Sequence, residues 1–157
     1  MITKATQETV PVLVEHHVAM FREIYTIGQQ PVYETRFTQM AVAYKNKLTK
    51  QFDDNTCFAW VIKDNETVVA SCALSLYEGI PIPTDPNIII GYLHSVYTVP
   101  DHRHKGYASE LVRNAISYCS TIGVNRIDLA ASDAGRKIYE HLGFTAFSYA
   151  MRLITVP

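Results

Sequence analysis

The chain has 157 residues, 48% hydrophobic and 18% charged, and its fourteen basic and fifteen acidic side chains leave a net charge of −1. A domain of this length buries roughly 68–70% of its unfolded surface, so one domain over residues 1–157 is expected. The balanced charge argues against nucleic acid as a partner, and no apolar run approaches the ~18 residues that span a bilayer.

Residues 2–5 predict a short strand. Thr9 reads as an N-cap with Pro11 in the first turn, where a missing N–H costs nothing. Leu13, His17, Met20, Phe21 and Ile24 share a face, predicting a helix to about Tyr25 that Gly28 and Pro31 end. His16 and His17 read as surface and boundary histidines, because adjacent helical positions point apart. A second helix is expected over residues 36–52, with Phe37, Met40, Ala41, Tyr44 and Leu48 inward and Lys45, Lys47 and Lys50 on the solvated face. Residues 56–63 and 67–77 read as strands joined by the turn Asp64-Asn65-Glu66, with Trp60 in the core. Residues 78–87 hold three of the seven prolines and form a stiff loop.

The N-terminal MITKATQETV has no apolar core and no cleavage-like site, so no signal peptide is read there. Cys57, Cys72 and Cys119 lie in apolar segments, without C-x-x-C or zinc-ligand spacing. They read as buried, reduced thiols in a cytoplasmic protein without a metal.

Residues 88–119 organise the rest. Ile88 to Val99 is rich in β-branched and aromatic residues and predicts a strand that Pro100 stops. A basic turn, Arg103-His104-Lys105-Gly106, leads into a helix with Ala108, Leu111, Val112, Ala115, Ile116 and Cys119 on one stripe. The unpaired N–H groups and the dipole at its start favour a phosphate, and Gly106 permits close approach. A strand over 126–131, a helix over 133–142 closed by Gly143, and strand material over 144–154 complete the chain.

The spacing Arg103-x-x-Gly106-x-Ala108 resembles the pyrophosphate loop of the Gcn5-related N-acetyltransferase (GNAT) superfamily. Residues 131–144, ASDAGRKIYEHLGF, resemble its second signature, a helix carrying Tyr139 and ending in Gly-Phe. The resemblance implies a mixed, mostly antiparallel sheet flanked by helices, in the order β-α-α-β-β-β-α-β-α-β. The hydrophobic periodicity and turn residues predict the same order.

The resemblance also implies acetyl-CoA as co-substrate, with transfer of its acetyl group to an amine of a small molecule, amino acid or peptide in a ternary complex. His104, Lys105, Gly106, Tyr107 and Ala108 would hold the diphosphate through backbone N–H groups. Arg103 and Lys105 add charge, and Ser109 a further hydrogen bond. Val96, Tyr97, Thr98 and Val99 would pair with the pantetheine arm and polarise the thioester. Ser132 stands where the family commonly has Asn, and caps the helix or bonds the arm. Gly135 replaces a usual Ala. Tyr139 is the expected proton donor, since a phenol near pKa 10 stays protonated when a thiol near 8.5 has ionised. His94 is a candidate base, with water and the amine's own acidity as competitors. Position places Tyr25, Tyr33, Glu34 and Arg36 near the acceptor, with Glu78 on the adjacent loop. A non-catalytic acyl-CoA-binding module, another acyl group and a hydroxyl acceptor are the alternatives, and a homodimer is left open.

Overall fold

The structure is a computed structural model that describes residues 1–147 and 151–155. Its order is β1 (Ile2–Lys4), α1 (Val10–Ile27), α2 (Glu34–Asp53), β2 (Cys57–Asp64), β3 (Thr67–Glu78), β4 (Ile89–Thr98), α3 (Tyr107–Thr121), β5 (Ile127–Asp128) and α4 (Asp133–His141). The strands lie side by side in chain order. Neighbours are antiparallel except β4 and β5, which are parallel because α3 crosses over between them. This is the mixed, helix-flanked sheet that the sequence implies.

Successive strand residues face opposite sides, so two cores form. On one side Trp60, Cys72, Leu74 and Leu93 pack on Leu111, Val112, Ala115 and Cys119 of α3. On the other, Ala59, Val61 and Ala73 pack on Val10 and Leu13 of α1 and Tyr44 and Leu48 of α2. All three cysteines are buried and unpaired. Among the described residues no helix is long and apolar enough to cross a membrane.

The structure departs from the sequence reading at several points. Thr9 does not cap α1 with its side chain; its Oγ1 accepts from the Thr6 N–H at 3.1 Å and stabilises a 3-10 turn over Gln7–Thr9. His16 is not a surface histidine: it is 6% exposed and its Nδ1 lies 2.8 Å from Ser71 Oγ. Lys47 is not merely solvated, since its Nζ reaches inward to Ser75 Oγ at 2.7 Å. Strand β5 holds two residues rather than six. Of the last expected strand, residues 148–150 lie outside the described residues, while 144–147 and 151–155 are not in a strand.

Candidate active site

The site is organised by an irregularity in β4. Ala73 pairs with His94 and Ser71 with Tyr97, so Cys72 of β3 faces two residues of β4, Ser95 and Val96. Such a bulge bends the strand and re-aims its side chains. Ser95 takes the left-handed backbone, φ 54°, which costs a non-glycine residue of order 1 kcal/mol or more. On the opposite edge β4 pairs with β5 only at Gly91↔Ile127 and Tyr92↔Asp128. Beyond Tyr92, β3 is the strand's only ladder partner among the described residues. Val96, Tyr97 and Thr98 therefore lie on a strand with one open edge, where an extended amide-bearing chain fits as a strand would.

At the end of that edge the chain turns through Pro100–His102 and enters α3. His104 and Gly106 both have positive φ, 63° and 82°, with Gly106 at the N-cap. Alternating backbone of this kind turns successive N–H groups towards one point and suits an anion. His104, Lys105 and Gly106 are exposed, and Tyr107, Ala108 and Ser109 half-buried. Arg103 is committed elsewhere: its Nη2 donates to both carboxylate oxygens of Glu23 in α1 at 2.7 Å, and its Nε to the Thr98 carbonyl at 3.0 Å. Tyr97 donates its phenol proton to the same Glu23 at 2.9 Å. The Thr98 hydroxyl, at the lip of the turn, is buried without a partner. An unmet polar group of this kind costs about 1–3 kcal/mol, which a bound molecule would relieve. The open edge, the turn and this hydroxyl together fit the coenzyme the sequence implies.

On α4, Ser132 caps the helix: its Oγ accepts from the Gly135 N–H at 3.3 Å. Tyr139 lies half-buried against the α3-side core, edge-on to Phe144 with ring centroids 5.8 Å apart. Burial, with the Cys72 thiol nearby, pushes its phenol up to about 12.

The other face of the bulge carries a polar cluster. His94 is not free: its Nε2 lies 2.9 Å from Ser75 Oγ, and its Nδ1 lies 3.2 Å from Ser95 Oγ and 3.3 Å from the Tyr44 hydroxyl. Burial, followed by the charge of Lys47, pushes its pKa down to about 3. His94 is therefore neutral at physiological pH, but it has no ring nitrogen open to a substrate. His17 Nδ1 lies 2.8 Å from Ser95 Oγ and its ring stacks on Tyr44 at 3.8 Å. Burial and Lys47 hold it at about 4. Sequence reasoning missed Glu23, Tyr44, Ser75 and Ser95. The only available signal was serine at three positions, 71, 75 and 95, in otherwise apolar strands.

Of the expected acceptor residues, Tyr25, Tyr33 and Arg36 gather where α1 meets α2. Tyr25 stands edge-on to Phe37 at 5.5 Å, and the Arg36 guanidinium lies over the Tyr33 ring at 5.5 Å. Glu34 makes two bonds to Arg22, at 2.7 and 2.6 Å. Glu78 does not join them. It is exposed at the far end of β3, beyond Ser75, which faces Gln51 near the end of α2. Arg36 and Gln51 lie fifteen positions apart along α2, roughly 22 Å. Among the described residues no cluster of potential metal ligands occurs.

The sequence model of the acetyltransferase (GNAT) family matches residues 17–144, and the chain belongs to that family. A GCN5-related N-acetyltransferase from Ralstonia eutropha JMP134 superposes with a TM-score of 0.89 over 99% of both chains at 22% identity. A predicted acetyltransferase with acetyl-CoA from Clostridium acetobutylicum superposes at 0.84, with 21% identity over 98% of this chain and 95% of that one. An aminoglycoside 6'-N-acetyltransferase from Acinetobacter haemolyticus reaches 0.69 at 12% identity over 100% and 99%. At these identities the likeness is one of fold. No curated protein matches the chain.

Proposed function

We propose that the protein transfers the acetyl group of acetyl-CoA to an amine of a small molecule, amino acid or peptide, by direct attack in a ternary complex. The observation that carries this reading is the parting of β4 from β5 beyond Tyr92, beside a left-handed turn at the mouth of α3. In this reading the amides of residues 104–108 hold the diphosphate, with Lys105 adding charge and Ser109 and Ser132 offering hydroxyls. The free edge at Val96, Tyr97 and Thr98 pairs with the pantetheine arm, Val99 being held to β3 by its N–H to the Val69 carbonyl at 3.0 Å. One N–H of that edge stabilises the oxyanion, worth about 2.7–4 kcal/mol when well aimed. Arg103 supports the turn rather than the phosphate, given its bonds to Glu23 and Thr98.

Tyr139 supplies the proton that the departing thiolate needs. Burial raises the phenol, but it raises buried thiols too: Cys72 is pushed up to about 12 and Cys119 to about 11. The raised phenol keeps its proton until the thiolate has formed, which suits late transfer. Family membership and an acetyl-CoA-bearing neighbour support the choice of acyl donor.

Thiol release from acetyl-CoA, followed across a broad amine panel, tests the proposal. Tyr139→Phe should lower kcat by ~10²–10⁴, and an unchanged rate returns Tyr139 to a packing role. Coenzyme binding with no release in any mixture makes the protein an acyl-CoA-binding module instead. Longer acyl-CoAs and hydroxyl acceptors in the same panel test a different donor or acceptor.

A further inference from the structure

The polar chain beneath α1 and α2 is the largest buried feature that acetyl transfer, as described, leaves unused. Lys47 Nζ donates to Ser75 Oγ at 2.7 Å, and Ser75 Oγ lies 2.9 Å from His94 Nε2. His94 Nδ1 lies 3.2 Å from Ser95 Oγ, which lies 2.8 Å from His17 Nδ1. The chain crosses a face otherwise packed with Leu13, Leu48, Ala59 and Ala73. Polar groups in such a place cost free energy unless all are satisfied, and aliphatic side chains would fill the space without that demand.

We infer that this chain is a proton path, running from His17 of α1, the helix that carries the expected acceptor residue Tyr25, to Lys47 at the surface. The inference rests on the acetyl-transfer reading, in which one proton must leave the amine besides the one that reaches sulfur. Two hydrogen-bond patterns run unbroken through the five groups, each with the Ser75 hydroxyl turned from Gln51 Oε1, 3.0 Å away, into the chain. In the first, His17 Nδ1–H donates to Ser95, Ser95 to His94 Nδ1, His94 Nε2–H to Ser75, and Ser75 to a neutral Lys47 amine. In the second, Lys47 is an ammonium that donates to Ser75. Ser75 then donates to His94 Nε2, His94 Nδ1–H to Ser95, and Ser95 to His17 Nδ1.

The two patterns differ by one proton, taken up at His17 Nε2 and delivered at Lys47. Both leave each intermediate group neutral and bonded. The Tyr44 hydroxyl donates to Ser95 Oγ at 2.9 Å in either pattern. Lys47 then loses its proton to water, and return of the imidazole tautomers resets the path. The surroundings suit this use. Burial keeps both imidazoles neutral, keeps the facing Tyr44 phenol and Cys57 thiol protonated, and lowers the Lys47 ammonium from its ordinary value. His16 bonds Ser71 and stands outside the chain.

Imidazole ¹⁵N spectra of the protein alone give the first test, because they report each ring's tautomer. Lys47→Met removes the cation that orients the chain. Gln51 Oε1, which accepts from Lys47 Nζ at 2.5 Å and lies 3.0 Å from Ser75 Oγ, is then left with Ser75 as its donor among these groups, and the pattern reverses. His17 should switch from the Nε2–H to the Nδ1–H tautomer, and an unchanged tautomer overturns the path. The second test is kinetic, with the amine turned over fastest in the panel. Ser75→Ala should lower kcat on the order of 10²-fold at unchanged KM for acetyl-CoA, and should reduce the solvent isotope effect. Lys47→Met, at an exposed helical position, should do the same and serves if Ser75→Ala fails to fold. Native kcat in both variants overturns the path alone. Failure of every amine in the panel to provoke thiol release by the native protein overturns the acetyl-transfer reading, and the purpose of the path with it.

Discussion

Gly135 stands one helical turn before Tyr139, and a Cβ built on it would lie 3.0 Å from Cε2 of that ring. The glycine thus makes room for the phenol, which explains why a residue that costs a helix roughly 0.5–1 kcal/mol is found there. Gly135→Ala should help α4 by its propensity while displacing the ring. Activity should fall by about tenfold or more at little change in Tm, read from kcat and thermal melts.

Glu23 holds Arg103 to α1 while Arg103 holds Thr98, so the turn before α3 is braced from the helix side. The pair is partly exposed, and pairs of that kind contribute about 0.2–1 kcal/mol to stability. Glu23→Gln should therefore barely shift the urea midpoint, yet raise KM for acetyl-CoA several-fold by loosening the turn. Steady-state kinetics at saturating amine decide the point.

The histidines predict an acid-sensitive molecule. Burial lowers His16, and burial followed by Lys47 lowers His17 to about 4 and His94 to about 3. Below the unfolded value near 6.5 the unfolded chain binds more protons than the folded one, so stability falls as pH falls from 6.5 towards these folded values. His17 and His94 should each cost on the order of 1–2 kcal/mol by pH 5. Urea denaturation at pH 8 and pH 5 measures the slope, and His94→Gln should flatten it, which carboxylate protonation would not allow.

Gly106 has φ 82° and open space where a Cβ would stand. Gly106→Ala therefore tests the backbone alone: left-handed alanine costs roughly 1–2 kcal/mol. The turn should shift, and coenzyme A binding, measured by calorimetry, should weaken about tenfold while the core remains folded.

The sequence made the architecture legible because the periods of α1, α2, α3 and β2–β4 are those of amphipathic helices and buried strands. Gly106, Ser132 and Gly143 likewise mark their caps with residues suited to them. The glycine turn that leads into α3 was readable for the same local reason. What escaped depends on pairing across the sheet. No spacing tells that Cys72 faces two residues of β4, that Arg103 prefers Glu23 eighty residues away, or that His94 meets Tyr44 and Ser75. His16 was misread because helical position alone cannot say which neighbour a side chain will find. It packs with its ring 5.1 Å from that of Tyr97.

The gap between β4 and β5 places a raw sheet edge inside the molecule, where β proteins usually take care to have none. The short pairing at Gly91 and Tyr92 closes it at its base, and beyond Tyr92 no ladder partner lies on that side among the described residues. A thread paired there, as the proposed function has it, would be read by the spacing of its amides and not by its side chains. One end of the ligand would then be gripped in the same way whatever the helices α1 and α2 present to the other.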